Sequence, residues 1–289
     1  MAFAIASIPV RSFTRTSILE RLRQTISRGE PIIAASAGAG IVAKCAEIGG
    51  ADLLLVLCTG RSRHLGVPTT VTLGNANSMT LATYPQIDNV VDRTPIIGGI
   101  EATDPTRRRL PAVIQTYRET GFDGIANFPS VGAIPSWGKA RNDVGQGVER
   151  EYQLIELARA QDLFTVAMAF SEEHVRNLVA AGADLVVARC GLTAGGLSGP
   201  REPLLDRSSA VQYVHSILNA ARAENPDVIV LAHGGPFATP EDTEFLYENT
   251  DVQGFLGESA IERMPIELGV AQAARDYKAQ PLRPSAIRN

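Results

Sequence analysis

Charged and polar side chains follow several short apolar runs of this sequence, at points where buried strands would end. Glu101 directly follows one such run, and Asp104 comes three residues later. Two carboxylates at a strand end are suited to bind a divalent metal such as Mg²⁺ or to transfer protons. His233 ends an unbroken run of five apolar residues and could act as acid, base or oxyanion donor. We predict Glu101, Asp104 and His233 as catalytic residues, with Glu101 and Asp104 as metal ligands.

Two of these residues also have structural interpretations. Asp104 stands before Pro105 and an expected helix over 107–117, the pattern of a helix N-cap with proline at the first position. His233 would also satisfy a backbone hydrogen bond at the rim of a barrel. Glu101 has no comparable structural role, which favours function at that position.

A second set of residues predicts an anionic small-molecule substrate. Arginines just past strand ends hold carboxylates or phosphates, and glycine turns that enter helices offer backbone N–H groups to anions. The alternatives are a solvated arginine in a loop and glycines needed only for turn geometry or close packing. The predicted substrate-binding residues are Gly38, Arg61, Asn127, Arg189, Gly234, Gly235, Glu258 and Ser259.

The elements that position these residues alternate between apolar runs and helical patterns. This alternation, repeated eight times, predicts an α/β fold with a single (β/α)8 TIM barrel, whose active site lies at the carboxyl ends of the strands. An N-terminal helix precedes the barrel, and the long loops 129–147 and 190–207 are candidate lids. The predicted strands are 31–35, 52–57, 95–100, 123–128, 164–169, 184–188, 228–232 and 253–256.

Composition narrows the class of protein. The 289 residues are 45% hydrophobic and 20% charged with a formal net charge of −4, so nucleic acid is not expected as a partner. No apolar run reaches the roughly 20 residues that cross a membrane. The three cysteines form no disulfide framework, which favours a cytoplasmic location. Only three lysines occur, and none directly follows a predicted strand, so a Schiff-base mechanism is not expected. We expect no nucleotide cofactor.

The chain divides into an N-terminal arm (1–16), the barrel (17–275) and a C-terminal tail (276–289). The arm is basic and rich in Ser and Thr, which leaves open a targeting segment or a disordered or packed arm. We expect the tail to contact another subunit of a homo-oligomer.

Several phrases together resemble the phosphoenolpyruvate hydrolase-like family, also called the TIM-barrel signal transduction family. The likeness runs from about residue 17 to 272 and implies a TIM barrel related to the phosphoenolpyruvate mutase and isocitrate lyase group. Members of that group cleave or rearrange C–C and P–C bonds beside a carbonyl, using Mg²⁺. The phrases are PIIAASAGAGIVAK from Pro31, ATDP from Ala102, GIANFPSVG from Gly124, ADLVVARCGLT from Ala183 and HGGP from His233.

This sequence departs from the resemblance at the barrel mouth. Arg189 stands where the family commonly has His, while Glu101 and Glu258 stand where it has small or neutral residues. The aspartate cluster of the mutase and lyase group is not evident. We therefore expect an enzyme that cleaves a C–C or P–C bond next to a carbonyl, as a hydrolase or lyase. The alternatives are a non-catalytic small-molecule sensor and a structural partner protein.

Overall fold

Eight short parallel strands close into a barrel in the computed structural model, which describes residues 11–68 and 73–283. The strands are β1 (Ile32–Ser36), β2 (Leu53–Val56), β3 (Ile96–Ile100), β4 (Gly124–Asn127), β5 (Phe164–Ala169), β6 (Leu185–Arg189), β7 (Ile229–His233) and β8 (Gly254–Gly257). They pair in chain order, and β1 also pairs with β8, which closes the sheet. The predicted single (β/α)8 TIM barrel is confirmed.

Helices surround the barrel, and one covers its base. They are α1 (Arg15–Ser27), α2 (Gly40–Ile48), α3 (Thr59–His64), α4 (Ala76–Asp88), α5 (Leu110–Thr120), α6 (Gly138–Asp143), α7 (Glu149–Ala160), α8 (Glu172–Ala180), α9 (Arg207–Glu224), α10 (Pro240–Asn249) and α11 (Arg263–Lys278). From α1, Ile18 and Leu22 pack against interior strand residues such as Ile32 and Leu53, as expected of a helix at the barrel base.

Strand side chains alternate between two apolar cores, because successive residues of a strand point to opposite faces. Residues such as Val166 and Met168 belong to the barrel interior, whereas Ala167 and Ala169 pack against the outer helices. Because of the same alternation, the side chain of the last residue of several strands points into the mouth of the barrel. Arg189 and His233 follow interior positions in this way and lie opposite each other in the pairing of β6 with β7.

Several predicted helix boundaries are wrong. The N-cap of α1 is Thr14, which forms a capping box with Ser17, so the predicted arm boundary after residue 16 falls inside this helix. Helix α5 begins at Leu110 after Arg109, and Asp104 is therefore not its N-cap. Helix α11 runs to Lys278, beyond the predicted start of the tail. By contrast, Ser171 caps α8 as expected.

The predicted loops contain helices that the sequence patterns did not indicate. Helix α3 follows β2 directly, and α6 with two short 3-10 turns (Val131–Ala133 and Pro135–Trp137) occupies most of the segment 129–147. Residues 1–10 of the predicted arm and 284–289 of the predicted tail lie outside the described residues. In the described part of the chain, no helix combines the length and apolarity needed to cross a bilayer.

Candidate active site

A buried ionic cluster occupies one side of the barrel mouth, at the ends of β6, β7 and β8. Arg189 Nη1 donates a short hydrogen bond to Glu258 Oε1, and Arg63 Nη1 lies 3.5 Å from Glu258 Oε2. His233 Nε2 lies 3.8 Å from Glu258 Oε1. Burial alone would raise the pKa of Glu258, but the charges of Arg189 and Arg63 and the hydrogen bond from Arg189 outweigh it and hold the pKa at about 2. Glu258 is therefore a permanent anion.

His233 is held as a neutral ring. Its Nδ1 lies 2.8 Å from the carbonyl oxygen of Leu256, and because a carbonyl only accepts, Nδ1 carries the proton. Burial and the nearby Arg189 lower the pKa of His233 to about 4. The unprotonated Nε2 is then an acceptor. This geometry suits the predicted role as a base, and it does not suit an oxyanion donor at neutral pH.

The guanidinium of Arg189 has an edge whose donors are not used by the described residues. Its guanidinium carbon lies 5.3 Å from the ring centroid of Phe128 and 5.8 Å from that of Phe170, while Nη1 is used by Glu258. Nε is buried without a partner, and Nη2 forms no hydrogen bond within the described residues. The Nε–Nη2 edge of a guanidinium is the fork that binds a carboxylate with two parallel hydrogen bonds. The structure thus leaves a fixed, 8% exposed cation ready for an anion.

Glu101 lies across the mouth, at the end of β3. Its carboxylate makes no hydrogen bond or ion pair to any residue within 11–68 and 73–283. Burial and the neighbouring Asp104 raise its pKa, opposed in part by Arg141 of α6. Burial, Glu101 and Glu258 together raise the pKa of the Cys58 thiol to about 12. Glu101 is therefore a half-buried carboxyl group suited to accept and return a proton.

The anion predicted at Gly38 is supplied by the protein itself. The Gly38 amide donates to Glu262 Oε1 at 2.6 Å, and Glu262 also contacts His64 at 2.8 Å and Arg63. A Cβ at Gly38 would lie 2.6 Å from the backbone of Gly60, so close packing of two loops explains the glycine. The prediction that Gly38 binds substrate is corrected accordingly.

Arg61 is also misplaced by the prediction. It lies exposed on α3, whereas Arg63, two residues later, points inward with a side chain that is 1% exposed. Arg63 Nη2 donates to Ser36 Oγ at 2.5 Å, and Nη1 donates to Thr59 Oγ1 at 3.1 Å. Arg63 therefore joins β1, α3 and the residues after β8, and it takes the place in the mouth that was expected for Arg61.

Asp104 is enclosed by donors rather than open to substrate or metal. Its carboxylate accepts hydrogen bonds from Asn75 (2.6 Å), Asn77 (3.1 Å) and Thr106 (2.8 Å from N, 2.6 Å from Oγ1). Burial would raise the pKa of Asp104, but these hydrogen bonds outweigh it and lower the pKa. The carboxylate thus fixes the turn after β3 to the start of α4, and this engagement gives it no free oxygen for the predicted catalytic or metal-binding role.

Asn127 points away from the barrel mouth. Ala126 and Phe128 belong to the interior core, so the residue between them faces the outer helices. Its amide donates to Glu151 and to the Met168 carbonyl (3.3 Å), and its oxygen accepts from Met168 N at 2.7 Å. These contacts leave Asn127 no free donor for the predicted substrate contact.

The glycines after β7 pack against the neighbouring loop. Gly234 and Gly235 have φ of +73° and +61°, and a Cβ on Gly234 would lie 2.2 Å from the Gly191 carbonyl oxygen. The Gly235 amide donates to that oxygen at 3.3 Å. Helix α10 begins only at Pro240 and α11 at Arg263, so neither Gly235 nor the buried Ser259 stands at a helix N-terminus. The helix N-termini on which the predicted anion site relied are therefore not formed by these residues.

The side chains present do not fit a metal centre. Among the described residues, no three His, Cys, Asp or Glu side chains come together as possible ligands. Of the two predicted metal ligands, Asp104 accepts hydrogen bonds from the residues around it, and in the described part of the chain Glu101 has no second carboxylate free beside it. Glu258 is paired with Arg189 and Arg63. No catalytic step is therefore assigned to a divalent ion.

Of the predicted site residues, the structure brings Glu101, Arg189, His233 and Glu258 together at the mouth. Sequence reasoning missed Arg63, Glu262 and the aromatic pair Phe128 and Phe170. The aromatic residues follow interior positions of β4 and β5 at a spacing of two, a signal present in the sequence. Nothing in the local pattern around Arg63 distinguishes it from Arg61, because both lie in a short helix that was expected to be a loop.

Comparison with solved structures gives neighbours of the same fold. Phosphonopyruvate hydrolase in complex with oxalate and Mg²⁺ matches with a TM-score of 0.59 and 20% identity, covering 94% of this chain and 92% of that one. Oxaloacetate acetylhydrolase with the inhibitor 3,3-difluorooxalacetate matches with a TM-score of 0.57 and 14% identity, covering 96% and 92%. The names describe hydrolases of small oxoacids, and identities this low establish the shared barrel alone.

Two curated relatives come from Solanum lycopersicum. The ToMV susceptible protein tm-1(GCR26) and the ToMV resistance protein Tm-1(GCR237) are each 36% identical over 270 residues, covering 92% of this chain. This chain spans 36% of the length of either relative. The model of the family described as phosphoenolpyruvate hydrolase-like matches residues 17–280. The chain therefore belongs to the phosphoenolpyruvate hydrolase-like family.

Proposed function

We propose that this barrel is an enzyme that cleaves a C–C or P–C bond next to a carbonyl in a small carboxylate-bearing substrate. The observation that carries the proposal is the Nε–Nη2 edge of the buried Arg189, which has no hydrogen-bond partner within the described residues. A substrate carboxylate on this edge would gain two charge-assisted hydrogen bonds. The names of the structural neighbours, which act on or bind oxoacids, support the same class of chemistry.

The mouth supplies the groups that such a cleavage requires. Glu101, with its raised pKa, accepts a proton from the water or hydroxyl group that starts the reaction. In hydrolysis, the water oxygen bonds to the phosphorus or acyl carbon as the P–C or C–C bond breaks; in retro-aldol cleavage, the deprotonated hydroxyl becomes a carbonyl as the C–C bond breaks. In both cases the electron pair of the broken bond passes to the carbon beside the carbonyl and forms an enolate, which takes back the proton held by Glu101. Arg189 stabilises the negative charge of this enolate, and Glu258 keeps the guanidinium in place. His233 Nε2 offers a second acceptor next to Glu258.

The test is release of pyruvate from phosphonopyruvate or oxaloacetate by the purified protein, followed by the variant Glu101→Gln. Removal of a general acid–base group lowers the rate by about 10²- to 10⁴-fold, which is the expected loss in kcat. Glu248→Gln, an exposed residue of α10, is the matched control and should keep full activity. Full turnover by the Glu101 variant would remove this residue from the mechanism.

The non-catalytic sensor uses the same edge of Arg189 and differs only in turnover. Saturable binding of oxalate without conversion of any oxoacid would favour the sensor over the enzyme. Binding of no small anion at all would favour a structural partner protein and contradict both. For location, the free thiols of Cys45, Cys58 and Cys190 support our proposal of a reducing, cytoplasmic setting.

We also propose a homo-oligomer, because α11 leaves most of its apolar surface uncovered. Only Arg263 of this helix is buried, whereas Ile266, Leu268, Val270 and Tyr277 are exposed. A groove of about 430 Å³ beside it is lined by apolar residues of β1, α2 and the start of α11. A second copy that covers this surface would bury it. Light scattering that gives the mass of one chain at all concentrations would contradict the proposal.

A further inference from the structure

We propose that this site neutralises the carboxylate and enolate of its substrate with the guanidinium of Arg189 and needs no divalent cation. The inference rests on the proposed function and adds to it the source of the positive charge. It also concerns binding alone, so it can be tested before any reaction is found.

The carboxylates near the mouth are already bound to donors of the protein. Glu258 accepts from Arg189 and lies beside Arg63, and Glu262 contacts Arg63, His64 and the Gly38 amide. Asp104 accepts hydrogen bonds from Asn75, Asn77 and Thr106. A metal ion would have to displace these donors, whereas hard cations prefer several free oxygens at once. Within the described residues of the mouth, Glu101 alone keeps a free carboxylate.

Arg189 provides a positive charge that is already in position. The guanidinium lies between Phe128 and Phe170, which restricts its movement, and its bond to Glu258 fixes its orientation. Within the described residues, Nε and Nη2 form no hydrogen bond, and Nε is buried. A cation bound in front of this edge would be repelled by the guanidinium, whereas a planar carboxylate or enediolate would satisfy both N–H groups. The arrangement therefore favours an anion and disfavours a dication at the same position.

The charges of the cluster balance without a substrate. Arg63 and Arg189 are matched by Glu258 and Glu262, and His233 is neutral. The cluster does not need an added anion to balance its charges, and an anion would instead satisfy the hydrogen-bond donors of Arg189 that the protein leaves unused. The chemical class that fits is a small α-oxo or α-hydroxy carboxylate whose two coplanar oxygens meet Nε and Nη2.

Oxalate is the probe, because it has two adjacent carboxylates and resembles an enolate of an oxoacid. We would strip the full chain of metals with EDTA and titrate it with oxalate by calorimetry, once with EDTA present and once with Mg²⁺. Free oxalate is corrected for its complex with Mg²⁺. The expected result is the same Kd in both buffers. Arg189→Lys should weaken binding by about 30-fold or more, because lysine keeps the charge and loses the two-pronged edge.

The controls separate this inference from the proposed function. Arg176→Gln, an exposed residue of α8, should bind oxalate as the unaltered chain does. Circular dichroism confirms that Arg189→Lys is folded, and Arg189→Met gives a second variant without charge. Binding only in Mg²⁺, or unchanged binding by both Arg189 variants, would overturn the inference. If Mg²⁺-dependent turnover of an oxoacid then remained, the proposed function would stand; absence of both binding and turnover would overturn both.

Discussion

The two sides of the barrel mouth carry the same residue type in opposite states. On one side, Glu258 follows β8 and is buried between Arg189 and Arg63, with a pKa lowered to about 2. On the other side, Glu101 follows β3, is half-buried and makes no contact to a cation at hydrogen-bond distance within the described residues. Burial acts on both carboxylates in the same direction. The difference between them comes from the two arginines.

This difference in pKa separates a carboxylate that positions Arg189 from a carboxylate that can transfer protons. A carboxylate with a strongly lowered pKa is a weak base, so Glu258 orients Arg189 and does not transfer protons. Glu101, with a raised pKa and no partner within the described residues, accepts a proton more readily than Glu258 does. Pairs of titratable groups with divergent pKa values mark the division of acid–base roles in many sites. Substitutions on one side of the mouth at a time test whether the two carboxylates differ in this way.

The largest expected effect on folding stability follows from removing one member of the ion pair between Glu258 and Arg189. Glu258→Leu leaves Arg189 buried without its partner, and loss of one member of a buried ion pair costs about 3–5 kcal/mol of folding free energy. Urea denaturation measures this loss. The double variant Glu258→Leu with Arg189→Met removes both charges and should recover most of the stability. Equal stability of the single and double variants would show that the pair does not hold the mouth.

The next effect is a pH dependence that belongs to His233. Its pKa falls from 6.5 in the unfolded chain to about 4 in the folded protein, because burial and Arg189 disfavour its charged form. The unfolded chain binds more protons between these values, so folding stability decreases as pH falls from 6.5 to about 4. The full difference corresponds to about 3 kcal/mol.

The substitution His233→Gln tests this assignment, because glutamine keeps a donor for the Leu256 carbonyl and does not titrate. Urea denaturation across this pH range should then show a flatter profile than that of the unaltered chain. His215→Gln is the control, since His215 is only partly buried on α9 and, within the described residues, its Nε2 contacts the Asn249 carbonyl, at 2.7 Å. A profile that flattens equally in both variants would assign the effect to histidines in general and contradict the role of His233.

A smaller effect of opposite sign is expected from Glu101. Its raised pKa means that the folded protein binds more protons than the unfolded chain above pH 4.5, so ionisation of Glu101 lowers stability as pH rises. Glu101→Gln should remove this loss and increase folding free energy at neutral pH slightly, within about 1 kcal/mol. Stability and turnover would then change in opposite directions. A destabilised Glu101→Gln variant would reveal a structural role for this carboxylate.

The sequence was sufficient to predict the barrel and the strand ends. Unbroken apolar runs that alternate with helical patterns specify a parallel sheet closed by helices, and the eight strands are found near their predicted positions. The alternation of side chains along a strand could have predicted more. Ala126 and Phe128 face the interior, which excludes Asn127 from the mouth, and the same rule places Glu101 and Glu258 inside.

The site predictions that the structure does not support failed because of contacts between residues distant in sequence. Asp104 is enclosed by Asn75 and Asn77 from the preceding helix, and the Gly38 amide is bound by Glu262, more than 200 residues away. No local pattern indicates which carboxylate meets which donor, because a barrel brings all eight strand ends to one place. Glycine turns and aspartates at strand ends are therefore ambiguous until their partners are known.

The smallest expected effect distinguishes two arginines on one short helix. Arg61 and Arg63 both lie on α3, but Arg61 is exposed and Arg63 contacts Glu258, Glu262 and Ser36. Arg61→Gln should change folding free energy by less than about 0.5 kcal/mol and leave oxalate binding unaltered. Arg63→Gln leaves Glu262 without its main cation and should cost about 3–5 kcal/mol. If Arg61→Gln weakened oxalate binding instead, the Arg61 guanidinium would contact the substrate, as the sequence predicts. The anion-binding surface of the mouth would then extend to the exposed face of α3.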